Sequence, residues 1–147
     1  MGGGMLIIAT GHFLYTIVPG AGPYATIPFD QPLRGGFWWN QVELTVATAG
    51  AQLDIFPSLH TAWPAYFTLH AYAHRDFGPF RWLWPVLGFF ALNIIIATMF
   101  LRWHWAIDVV FGLALAVAAR KFAVAVADRE GHRGSLYDAR QPVWERL

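Results

Sequence analysis

The sequence predicts an all-α, polytopic transmembrane helical bundle of about four helices, and three observations carry that expectation. Only 13% of the 147 residues are charged while 56% are hydrophobic, against about 25% charged in an average soluble domain. The apolar residues gather into four long runs that carry little or no charge. In lipid a helix satisfies its own backbone polar groups, so each run reads as a helix.

The first run, Met5 to Val18, is apolar but shorter than the roughly 20 residues that cross a bilayer. No positive segment precedes it, which predicts a retained helix rather than a cleaved leader. Between Pro19 and Asp54 lies a stretch rich in Gly and Pro, followed by Phe37, Trp38 and Trp39. That composition predicts a loop returning to the headgroup level, with a short interfacial helix from Asn40 to Ala49. The second run, Ile55 to His74, has spanning length and is interrupted by Pro57 and Pro64. Trp82 to Leu101 is the cleanest span, with Asn93 its one strongly polar side chain. The fourth run, Trp103 to Ala127, carries Asp108 near its start and Arg120 and Lys121 near its end. Residues 1–127 are thus expected to form the membrane domain and residues 128–147 a polar, solvated tail.

Charge placement sets an orientation. Arg75 and Arg81 separate the second and third runs, and Arg120, Lys121, Arg129, Arg133, Arg140 and Arg146 lie at or beyond the end of the fourth. An up-and-down arrangement puts both groups on one side, which the positive-inside rule makes cytoplasmic. The expected location is the plasma or bacterial inner membrane, with the C-terminus in the cytoplasm. The absence of Cys removes disulfides, thiolate metal sites and cysteine nucleophiles. A net charge of +1 lacks the basic face that nucleic acid demands.

The opposite, extracytoplasmic side collects Arg34, Ser58, His60, Arg102, His104 and Asp108. An ionised carboxylate in a membrane helix costs several kcal/mol and calls for a partner. His104 stands four residues before Asp108, the spacing that places two helical side chains on one face. The carboxylate can then orient one imidazole nitrogen and leave the other as nucleophile or base. His60 follows Pro57 and Ser58 at an expected helix N-terminus, whose free N–H groups favour an anion. Two imidazoles, a carboxylate and an arginine at one face suit phosphoryl chemistry. His12, His70 and His74 read as helix-interface or boundary residues, and the many aromatics as an interfacial belt.

Phe56 to Ala62 (FPSLHTA) resembles the second signature of the type 2 phosphatidic acid phosphatase superfamily, and Arg102 to Gly112 (RWHWAIDVVFG) resembles its third. Leu59, the aromatics flanking His104, and Tyr15 to Pro23 (YTIVPGAGP) are similar to the branch containing inositol phosphorylceramide synthases. The resemblance implies a lipid phosphatase or phosphotransferase in which His104 attacks phosphorus, Asp108 orients His104 and His60 protonates the departing oxygen. Ser58, Arg102 and Arg34 are the candidate phosphate ligands. It implies no metal and no cofactor, a lipid phosphate substrate drawn from the bilayer, and no nucleic-acid partner. The first family signature, a Lys followed by Arg-Pro, has no counterpart, and Ala97-Thr98 stands where Ser-Arg is usual. The four predicted helices are expected to be part of a six-helix family core. The competing expectation is an inactive, truncated homologue serving as a membrane scaffold or subunit.

Overall fold

The computed structural model describes residues 2–31, 33, 35–49 and 53–136, and these are all helix, turn or irregular chain. Six helices follow in order: α1 (Gly2–Ile17), α2 (Pro23–Thr26), α3 (Phe37–Ala49), α4 (Leu59–Ala73), α5 (Phe80–Phe100) and α6 (Ala106–Leu136). The four expected runs become α1, α4, α5 and α6. The interfacial helix is α3, three residues longer at its start than expected, and α2 is a single turn opened by Pro23 at a first helical position.

Helix α4 begins later than its apolar run because Pro57 and Ser58 lie outside it. Ser58 caps the helix, its Oγ accepting from Thr61 N–H at 3.2 Å. At 15 residues the helix spans only about 22 Å, short of a bilayer core of about 30 Å. By contrast α5 and the Ala106–His132 part of α6 are long and apolar enough to cross. Their apolar windows are only 11% and 17% buried, which separates them from the core helices of a soluble domain. Trp82, Phe89 and Phe100 stand exposed along α5, as lipid-facing side chains do.

Helices α1, α4 and α6 meet around Ile7, Ala62, Ala65, Tyr66, Ala116 and Ala119. Small residues permit the close approach: a Cβ on Gly3 would stand 2.7 Å from the Ala119 carbonyl oxygen, and one on Gly11 2.5 Å from Leu59 Cδ2. Membrane helices lack a hydrophobic drive toward one another, so such backbone proximity is what holds them. Helix α5 packs on α4 from outside this core, Tyr72 meeting Trp84 at a ring separation of 5.2 Å.

Tyr15 at the end of α1 donates to the Pro57 carbonyl at 3.1 Å, whereas Gly2 at its beginning faces Phe122. The helices therefore alternate up and down, and the end of α1, the start of α4, the end of α5 and the start of α6 share one end of the bundle. The expected tail boundary at Ala127 falls within α6, which continues through polar residues to Leu136.

Candidate active site

Helix α5 stops with a hydrogen-bonded turn: Trp103 N–H donates to the Thr98 carbonyl at 3.0 Å and Arg102 N–H to that of Met99 at 3.0 Å. This is the Schellman pattern, which places its left-handed residue at the position usually occupied by Gly. Here it is Arg102, with φ 63°. A side chain in that region costs about 1 kcal/mol or more. The turn reverses the chain and delivers His104 and Asp108 to the start of α4.

Asp108 occupies the first turn of α6 and is 2% exposed. Its Oδ2 accepts from the backbone N–H of Trp105, the residue before the helix, at 2.8 Å. A third-position carboxylate reaching back to the cap residue satisfies a donor the helix cannot. The same Oδ2 lies 3.5 Å from His104 Nδ1. His104 itself is in the turn rather than on the helix, so the four-residue spacing pairs the two groups across a helix start, not along a helical face. His104 is 4% exposed, and its Nδ1 has no hydrogen-bond partner.

The other nitrogen, Nε2, meets His60 Nδ1 at 3.4 Å. His60 lies one residue inside α4 and is exposed, so the order from interior to surface is Asp108, His104, His60. Ser58 is fully buried beneath them, and its N–H donates to the Asp108 carbonyl at 3.1 Å. That bond fastens the starts of α4 and α6 together. Gly112 completes the junction: a Cβ there would stand 2.5 Å from the Ser58 carbonyl oxygen and 3.0 Å from Thr61 Cβ.

Burial penalises the charged form of His104, the neighbouring His60 adds to that penalty, and Asp108 opposes both. The net effect lowers the His104 pKa below the ordinary imidazole value. A neutral Nε2 backed by a carboxylate is the protonation state a nucleophile requires.

Arg102 does not join this cluster. Its left-handed backbone sends the guanidinium into the outer loop, over the Phe29 ring at 3.7 Å and onto the Gln31 carbonyl at 3.3 Å. Both contacts are with the outer loop, whereas the sequence predicts this side chain on the phosphate beside His104. Arg34, the other expected phosphate ligand, lies outside the described residues. Among the described residues no three His, Cys, Asp or Glu side chains converge as metal donors.

Sequence reasoning missed two supports. Tyr15 anchors the Pro57 carbonyl from α1, and the segment from Gly20 to Tyr24 braces both loops. Gly20 N–H donates to the Leu53 carbonyl, and Tyr24 N–H to that of Arg102. Trp105 Nε1 donates to the Ala21 carbonyl at 3.1 Å. The signal available was the Gly-Pro composition of that strap, which permits backbone to pass close to backbone.

A family model for the PAP2 superfamily matches residues 4–122. The chain belongs to the PAP2 superfamily. The match takes in all four apolar helices up to Phe122 and every residue of the His60–His104–Asp108 cluster. No curated protein and no solved structure matches the chain. PAP2 membership places it among phosphoric ester hydrolases, and with its two long apolar helices makes it a membrane protein.

Proposed function

We propose that this PAP2 protein is an integral membrane lipid phosphatase or phosphotransferase that works through a phosphohistidine on His104. The single observation that carries the reading is the alignment Asp108 Oδ2, His104 Nδ1, His104 Nε2, His60 Nδ1, with separations of 3.5 and 3.4 Å. It is the order of orienting carboxylate, nucleophile and acid that phosphoryl transfer to a histidine needs.

In the first step His104 Nε2 attacks phosphorus and the bond from phosphorus to the lipid oxygen breaks. His60, protonated, gives its proton to that oxygen, so the alcohol leaves neutral. Asp108, 3.5 Å from Nδ1 of His104, stabilises the positive charge that the imidazole acquires. In the second step a hydroxyl attacks phosphorus, the P–N bond breaks, and His60 takes the proton from the attacking oxygen. Water as the attacking group gives hydrolysis, and a lipid or polyol hydroxyl gives transfer. The 3.4 Å contact leaves no room for phosphorus between the rings, so the exposed His60 side chain swings aside by a rotamer as phosphate enters. The N–H groups of Leu59 and His60 at the start of α4 are the phosphate ligands, and Ser58, expected from the sequence to bind phosphate, supports them from beneath as the helix cap.

Leu59, the aromatics flanking His104 and the segment from Tyr15 to Pro23 support placing the chain in the inositol phosphorylceramide synthase-like branch. Residues 1–127 act as the membrane domain, passing the bilayer several times. The basic residues at the end opposite the site support an extracytoplasmic active site and a cytoplasmic C-terminus.

The test is release of phosphate from a panel of lipid phosphates and phosphodiesters by the purified protein, with and without a hydroxyl acceptor. The wild-type chain turns over, and His104→Ala reduces turnover by at least about 1,000-fold with unchanged thermal unfolding. Full activity in that variant overturns the assignment of His104, whereas a wild-type chain that neither turns over nor binds vanadate supports the scaffold reading instead.

A further inference from the structure

The outer loop, α3 and the α5–α6 turn enclose a second, open cavity of about 670 Å³, a size ordinary for small-molecule sites. Four aromatic side chains, Tyr24, Phe29, Trp39 and Trp103, line it together with Arg102 and Glu43, and most of the remaining wall is aliphatic. Neither His60 nor His104 contributes to it.

The two charges are presented separately. Arg102 is fixed by stacking on Phe29 and by one bond to the Gln31 carbonyl, which leaves further guanidinium donors free for an oxyanion. Among the described residues no ion pair joins it to Glu43. A simple anion in this cavity would face the Glu43 carboxylate, and a simple cation would face Arg102. An uncharged hydrocarbon chain would strip water from both without replacing it. The complement of this wall is a molecule carrying a phosphate and an ammonium on an apolar body. Aromatic faces beside a carboxylate are the surroundings in which alkylated ammonium groups bind.

We propose that this cavity binds the headgroup of a zwitterionic phospholipid, with phosphate on Arg102 and the ammonium between Glu43 and the aromatic side chains. The left-handed backbone of Arg102 has a purpose in this arrangement, because it turns the guanidinium away from the bundle and into the cavity. The proposal stands on this geometry alone and does not depend on turnover at His104.

The experiment is equilibrium binding of a short-chain phosphatidylcholine to the full-length protein in a maltoside detergent. Phosphatidylglycerol of the same chain length and chainless glycerophosphocholine are run alongside. Saturable binding of the phosphatidylcholine is expected, with both comparison ligands at least about ten-fold weaker, and Glu43→Gln and Arg102→Gln each weakening it about ten-fold. His104→Ala leaves binding unchanged. Should Arg102→Gln fail to fold, Glu43→Gln carries the test. Absence of saturable binding, equal binding of the phosphatidylglycerol, or no effect of Glu43→Gln overturns the proposal. Equally tight glycerophosphocholine overturns its lipid part, and loss of binding in His104→Ala assigns the ligand to the histidine pair. A wild-type chain that binds phosphatidylcholine but shows no turnover sinks the function proposed above and leaves this inference standing.

Discussion

Asp108 serves two neighbours with one oxygen, capping α6 through Trp105 N–H at 2.8 Å and facing His104 Nδ1 at 3.5 Å. The two duties can be separated by substitution. Asp108→Asn keeps a carbonyl acceptor for the cap but loses the charge that orients and stabilises the imidazole. It should lower turnover by at least about 100-fold while thermal unfolding moves little. Asp108→Ala loses both, and should cost a further 1–2 kcal/mol or so of stability. Equal destabilisation of the two variants would refute the division. The pH profile follows from the same cluster. In the proposed mechanism the neutral form of His104 is the reactive one and its pKa is lowered, so activity is lost as pH falls through that pKa, while the need for a protonated His60 sets the alkaline limb. The acid limb should lie below about pH 6.5, the ordinary imidazole value. In Asp108→Asn the opposing influence of the carboxylate is gone and the limb should move lower still; a limb above the ordinary value would contradict the assignment.

At the scale of elements, the proposed catalysis rests on how closely α6 approaches the start of α4. Gly112→Ala places a methyl 2.5 Å from the Ser58 carbonyl oxygen, where backbone rather than a flexible side chain must move. The expected cost is about 1–3 kcal/mol, with activity reduced more than ten-fold because the starts of α4 and α6, which carry the proposed catalytic groups, are forced apart. Gly131→Ala on the same helix meets nothing within 4 Å and should leave activity unchanged; comparable losses in both would remove Gly112 from the argument.

The elements also show what could be read from residues alone. Pro57-Ser58 marked a helix start because the cap is local chemistry, and the structure places Ser58 there. The His104–Asp108 pair was legible through its spacing, although the helix begins after His104 and the pairing runs across its cap. Arg102 was not legible: a left-handed turn at a non-Gly residue leaves no trace in composition, and its φ decides that the guanidinium faces the loop. The role of Tyr15 was hidden for another reason, since its partner Pro57 is 42 residues away and only the packing of α1 against α4 brings them together.

For the molecule as a whole, the paired basic residues and the histidine cluster occupy opposite ends. The histidine cluster sits where α1 and α5 finish, whereas Arg75 and Arg81 flank the far hairpin and Arg120 and Lys121 lie beside it along α6. The alternation of helices was legible from four apolar runs, the last three joined by short connections, because up-and-down packing is the economical solution for such runs. The cavity beneath the outer loop was not, since it requires α3 to fold back over the α5–α6 turn. The proposed topology has a direct test, made simple by a chain without Cys. Leu53 and Phe77 are both exposed, one at the site end and one in the far hairpin. In intact cells Leu53→Cys should react with an impermeant maleimide, and Phe77→Cys only after permeabilisation. The reverse pattern inverts the orientation, and labelling of both from outside excludes a span between them.

Helix α6 carries one more consequence. Gly2, at the beginning of α1, lies beside Phe122, yet α6 continues to Leu136, about 20 Å farther along its axis. The projecting turns are mostly exposed and include Asp128, Arg129 and Glu130. The last described turns of α6 thus project past the level at which α1 begins. In the proposed orientation these turns point toward the cytoplasm, away from the His60–His104–Asp108 cluster.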